Sequence, residues 1–168
     1  MPDNLERIYD EHSQALFSFL LNFTRSETDT RDVLQEVFGK IAARPGLLKG
    51  VREERAFLMR LTHNTAVDLM RRRTTRERNH GEFGREALEL FATDADADAE
   101  CFQKALVAAL GGLPPEQRAV AHLKLWEGET FERIAEVLGI PANTAASRYR
   151  YAIDKLRERL RPIYEEIQ

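Results

Sequence analysis

Side chains suited to a buried face recur at three- and four-residue steps from the start of the chain: Leu5, Ile8, Tyr9, His12, Leu16, Phe19, Leu20 and Phe23. That spacing predicts an amphipathic helix, and residues 26–29 offer a break and a choice of N-cap for the next. In DTRDVLQEVFGKIAAR, Val33, Val37, Phe38 and Ile41 form the apolar stripe of a second helix and leave Asp32, Gln35, Glu36 and Lys40 on its other face. Pro45, Gly46 and Gly50 in RPGLLKG then interrupt the chain. A third helix, from about Glu53 to Arg73, is expected to turn Phe57, Leu58, Leu61, Thr65 and Met70 inward, and it ends in arginines.

The second half repeats the pattern with clearer punctuation. KALVAALGGLPPEQR reads as a helix, a Gly-Gly stop and a proline-primed restart. Thr130 suits the N-cap of a short helix in which Phe131, Ile134, Ala135 and Leu138 share a face. Gly139 offers a left-handed residue to end it, and Pro141 suits the first turn of a last helix. Along that helix Ala145, Tyr149, Ala152 and Leu156 face inward, so Asn143, Thr144, Ser147, Arg148 and Tyr151 point outward near its start. This is a helix-turn-helix pattern, whose second helix presents N-terminal residues to base edges in a major groove. Short amides and hydroxyls reach base edges, while Arg148, Arg150, Lys155, Arg157 and Arg159 are candidates for phosphate or base contacts. A helical hairpin with a solvated basic face is the alternative at this point. No segment alternates in the manner of a strand, so the predicted fold class is all-α.

Charge sharpens the division into parts. The net charge is only -3, but residues 79–103 carry one arginine against seven acids, while residues 71–78 carry five arginines against Glu77. Periodicity also fades between residues 79 and 100, where HGEFG and TDADADAE have the composition of a solvated linker. The expected organisation is a helical domain over residues 1–76, an acidic flexible linker over 77–103, and a helix-turn-helix domain over 104–168. With 43% hydrophobic and 32% charged residues the chain should be globular. The absence of a long apolar run and of a signal-type N-terminus points to a cytoplasmic protein with no membrane insertion. The single Cys101 leaves no internal disulfide and is expected to be buried or incidental.

Both halves resemble one family. ALGGLPPEQRAVAHLKLWEGETFERIAEVLGIPANTAASRYRYAIDKLRERL looks like region 4 of an extracytoplasmic-function (ECF) sigma factor, and TDTRDVLQEVFGKIAAR followed by ERAFLMRLTHNTAVDLMRRR resembles region 2. The resemblance implies a transcription initiation factor that binds core RNA polymerase, directs it to promoters and assists their opening. It implies that Asp32, Gln35, Glu36 and Lys40 face the polymerase clamp. Asn64 stands at a minus-10 reading position, with Arg60, His63 and Arg71 near it and Lys49 in the loop RPGLLKGVREER, which matches the family loop that holds a flipped base. Leu48, Glu54 and Phe57 stand where the family often has two phenylalanines and a tryptophan. Asn143, Thr144, Ser147, Arg148 and Tyr151 fall on or beside the minus-35 positions, while Ala145 and Ala146 replace a common Val-Lys pair. Trp126 is expected in the core. The family also implies an anti-sigma partner, and a linker that enters the RNA path, where Asp94, Asp96 and Asp98 would mimic RNA.

Competing chemistry is poorly supported by the residues. DADADAE resembles the start of a calcium loop, but Ala99 stands where its turn needs glycine and Ala105 where its bidentate glutamate belongs. His12, His63, His80 and His122 have no paired ligand spacing, and neither a phosphate loop nor a nucleophile motif is present. No metal, no cofactor and no enzymatic activity are therefore expected. The remaining alternatives are a stand-alone helix-turn-helix regulator, which would normally dimerise, and a polymerase-binding decoy without promoter activity.

Overall fold

The computed structural model of the protein describes residues 2–73 and 97–167. Among them are seven helices and no strand: α1 Pro2–Thr24, α2 Glu27–Ala43, α3 Glu54–Arg73, α4 Ala97–Gly111, α5 Pro115–Leu125, α6 Phe131–Leu138 and α7 Ala142–Ile167. The chain separates into two compact units, the first built on α1 to α3 and the second on α4, α5, α7 and the first half of α6. Most of the expected linker, including Arg78, His80, Asp94 and Asp96, lies outside the described residues, as does Arg76 at the end of the expected first domain.

In the first unit, Ile8, Leu16, Phe19 and Leu20 of α1 are fully buried with Val33 and Val37 of α2 and Leu58 of α3. Tyr9 departs from its expected place, being 55% exposed, and rests its ring 5.1 Å from that of Phe38. Arg25 ends α1 with φ 59, a left-handed conformation that a side chain tolerates poorly, and burial pushes its guanidinium down to about 10. Ser26 then starts α2 by accepting the Asp29 amide on its hydroxyl, at 3.2 Å.

The inner face of α3 is rotated from the expected one. Leu58, Met59, Thr62, Thr65 and Ala66 are buried, whereas Phe57, Leu61 and Met70 are only half-buried. Two threonines on the inner face hide it from a hydropathy pattern. The Thr65 hydroxyl is satisfied locally: it donates to the Leu61 carbonyl at 2.8 Å and accepts from Lys40 Nζ at 3.2 Å.

In the second unit, α4 begins at Ala97, within the stretch expected to be linker. Asp98 and Glu100 in its first turn complement the positive helix start, so acidity there is compatible with helix as well as solvation. Ala109, Leu110, Leu113, Ala121, Ala152 and Leu156 form the core. The Gly-Gly stop carries more structure than punctuation. Arg118, itself buried, donates to the Leu113 carbonyl at 2.5 Å, and Arg159 donates to the Ala109 carbonyl at 3.1 Å. A Cβ on Gly112 would collide with the Arg159 guanidinium, so glycine admits that group there. Arg159, a candidate DNA contact by sequence, is thus engaged with the end of α4.

One further residue differs from expectation. Trp126 is 38% exposed, because it follows the last turn of α5, and it stacks on the buried His122 at 5.3 Å. Cys101 is exposed on α4, which leaves the incidental of its two expected readings.

Replacing Ser26 with alanine removes the cap of α2 and should destabilise the protein by about 1 kcal/mol in denaturant titration. A midpoint equal to that of the wild type would show that the cap contributes nothing.

Candidate nucleic-acid and protein interfaces

The turn between α6 and α7 is built from local rules. The Thr130 hydroxyl accepts the Arg133 amide at 3.1 Å and so caps α6, Gly139 takes φ 67, and the Pro141 carbonyl accepts the Ala145 amide at 3.0 Å to begin α7. Ala145 and Ala152 are fully buried and Leu156 nearly so, which fixes the inner face of α7. Asn143 and Tyr151 are exposed, while Thr144, Ser147 and Arg148 are half-buried on the same outer face. The Arg150 guanidinium lies over the Tyr151 ring, 5.6 Å from its centroid. Tyr149 packs on Phe131 with ring centroids 5.6 Å apart and the rings tilted. Lys124 lies over the other participant, 4.7 Å from the Phe131 centroid, and donates to the Glu129 carbonyl at 3.0 Å.

On α3, Arg60, Asn64 and Arg71 are exposed and, at steps of four and seven residues, share one face. His63 is turned aside: it is half-buried, with its ring edge-on to Phe23 at 5.3 Å and tilted to Phe19 at 6.4 Å. Lys49 is exposed in the run of turns over residues 45–50, where Gly50 takes φ 81.

On α2, Asp32, Gln35 and Lys40 are exposed and Glu36 is half-buried. The polar residues expected there are together, but the carboxylates already hold cations. Arg73 pairs with both Asp29 and Asp32, at 2.8 Å to the latter, and Glu36 lies 3.0 Å from Lys40 and 3.8 Å from Arg72. Beside them a cavity of about 500 Å³ is lined by Glu36, Gly39, Lys40, Ala43, Arg44, Leu47 and Leu61. Sequence patterning did not locate it, because its walls come from two helices and the intervening loop.

A second polar cluster joins α1 to the start of α3. Arg7 donates to both oxygens of Glu54, at 3.0 and 2.9 Å, and to Glu11 at 2.7 Å; His12 Nε2 lies 2.9 Å from Glu54. Glu11, His12 and Glu54 bring potential metal-ligand atoms within 4.8 Å of one another, although Glu54 is distant from the other two in sequence. The Arg7 guanidinium already places positive charge against both carboxylates. It is the main cause holding the Glu54 carboxyl below the ordinary range, followed, against the opposing effect of burial, by the hydrogen bond to His12.

Comparison with known proteins follows the same two units. The Sigma-70 region 2 family matches residues 8–76, and Sigma-70, region 4 matches residues 109–158. The ECF RNA polymerase sigma factor SigL of Mycobacterium tuberculosis is 30% identical over 155 residues, covering 91% of this chain and 86% of the relative. The ECF RNA polymerase sigma factor SigX of Bacillus subtilis is 24% identical over 172 residues, covering 99% of this chain and 89% of the relative. The sigma factor RpoE of Bartonella quintana, solved in complex with the anti-sigma factor NepR, has a similar fold. Its TM-score is 0.70 at 22% identity, over 94% of this chain and 97% of that one.

Since Glu54 has a depressed folded-state pKa, its contribution to stability is complete above the ordinary glutamate value of 4.5 and is lost as pH falls through the lower folded value. The difference in unfolding midpoint between wild type and Glu54→Gln should therefore be largest near neutral pH and narrow below about pH 4.5. A gap independent of pH would show that the Glu54 charge is not what holds α1 to α3.

Proposed function

Because the chain belongs to the ECF RNA polymerase sigma factors, and is therefore a transcription initiation factor, we propose a division of that task between residues 1–76 and 104–168. The first part holds core RNA polymerase through Asp32, Gln35, Glu36 and Lys40 and engages minus-10 DNA through Asn64, Arg60 and Arg71, with Lys49 in the adjoining loop. His63 supports that helix from within rather than touching DNA. The second part reads the minus-35 element through Asn143, Thr144, Ser147, Arg148 and Tyr151. Residues 77–103 connect the two, and their acids are suited to the RNA path.

The observation that carries this reading is the division of α7. Its buried side is fixed by Ala145, Ala152 and Leu156, so the opposite side holds amide, hydroxyl and guanidinium groups at the N-terminal end, where a groove-binding helix needs them. The near-neutral net charge of -3 gives the isolated chain little general affinity for phosphate. Polymerase supplies what is missing by holding both parts at fixed separation, so that each raises the effective concentration of the other. No described helix is long and apolar enough to cross a membrane. An anti-sigma protein fits the same scheme, as a competitor for the α2 and α7 surfaces.

Co-purification with bacterial core RNA polymerase tests the first part. The wild type should bind stably and the Gln35→Ala, Glu36→Arg double variant should not; no binding by folded wild type would favour a stand-alone regulator, to be sought as a dimer on palindromic DNA. For the second part, Arg148→Ala should cost the holoenzyme about 1–3 kcal/mol of promoter affinity and relax specificity at one base pair. A loss uniform over all sequences would reassign Arg148 to phosphate.

A further inference from the structure

Arg73 occupies a position that the buried stripe of α3 would otherwise fill. The stripe runs through Leu58, Thr62, Thr65 and Ala66 to the half-buried Leu69, and the next step of four residues lands on Arg73. A guanidinium there is carried against α2 rather than away from it. It meets Asp29 and Asp32, while Arg72 approaches Glu36, which Lys40 also holds. Glu27, the remaining carboxylate of α2, lies 4.0 Å from Arg31. Every acid of α2 is thereby faced by a cation from within the chain.

We infer that Arg72 and Arg73 mask the acidic face of α2 in the free protein, and that core RNA polymerase binds that face by displacing them. This rests on α2 being the polymerase-binding face. Displacement is feasible because the pairs are open to water: the Arg73 and Asp32 side chains are 43% and 47% exposed, and pairs of this kind are individually weak. The released arginines lie at the same helix end as Arg71, within reach of a DNA backbone following the Arg60, Asn64 and Arg71 face. Polymerase binding then frees cations for DNA, and DNA that holds those cations uncovers acids for polymerase; the two effects are equal by linkage. Affinity for DNA is in this way withheld until polymerase is present.

The test is titration of the labelled full-length chain with core RNA polymerase at roughly 0.1 M and 0.5 M salt. The Arg72→Gln, Arg73→Gln double variant should bind about three- to tenfold tighter than wild type at the lower salt, with the gain shrinking at the higher. Arg73→Lys, which keeps the charge, should bind like the wild type. If the double variant does not unfold cooperatively, each single Gln variant carries the test with an expected gain of about twofold. Equal or weaker binding by the folded Gln variants overturns the masking, even when the wild type binds and Gln35→Ala, Glu36→Arg does not. Absence of binding by wild type removes the polymerase reading and the masking together.

Discussion

A helix that buries one face leaves only the other for contact with partners, and in both units the buried face is narrow and made partly of small or hydroxylated side chains. In α7 the first buried positions are alanines, so the helix backbone comes close to its neighbours and the outer face is held at a fixed rotation. In α3 two of the inward residues are threonines, and the hydroxyl of Thr65 is satisfied by the Leu61 carbonyl and by Lys40. Neither unit is large enough for a deep core. Rotation of these two helices therefore determines which residues can meet DNA or polymerase, and a shift of one residue would turn Asn64 or Ser147 by about 100°.

Electrostatics extends that constraint to places where burial does not reach. Arg7 ties Glu11 and Glu54 together across α1 and α3, and Arg73 ties the end of α3 to Asp29 and Asp32 of α2. Arg118 and Arg159 do equivalent work in the second unit by occupying carbonyls around the end of α4. Several arginines that look available for nucleic acid in a list of charges are thus engaged within the fold. The near-neutral balance of the chain accordingly overstates neither its acidity nor its capacity for phosphate.

What was legible in the sequence was what local chemistry dictates. Thr130 as cap, Gly139 with positive φ, and Ala145, Ala152 and Leu156 as the inner face follow from neighbours within a turn or two, and the all-α class holds among the described residues. The same logic grouped Asp32, Gln35, Glu36 and Lys40 on one side of α2. It failed where a side chain's role depends on a distant partner or on exception to polarity. Thr62 and Met59 lie inside although Phe57 was the more apolar choice, Tyr9 and Trp126 lie largely outside, and α4 starts seven residues inside the presumed linker. The Arg7–Glu54 and Arg73–Asp32 pairs join residues more than forty positions apart, and no periodicity announces them.

The last turn of α3 shows how closely the uses of one helix are joined. Its sequence Arg71-Arg72-Arg73 reads as a single basic run, yet successive residues on a helix are turned by about 100° and so meet different surroundings. Arg71 continues the face of Arg60 and Asn64, Arg73 continues the buried stripe, and Arg72 lies between them. A leucine in place of Arg73 would complete the stripe by hydropathy alone, but it would leave Asp29 and Asp32 without their common cation. The charge at that position is therefore best understood through the acids it faces on α2: it gives the acidic face a partner inside the protein that an external one must outcompete.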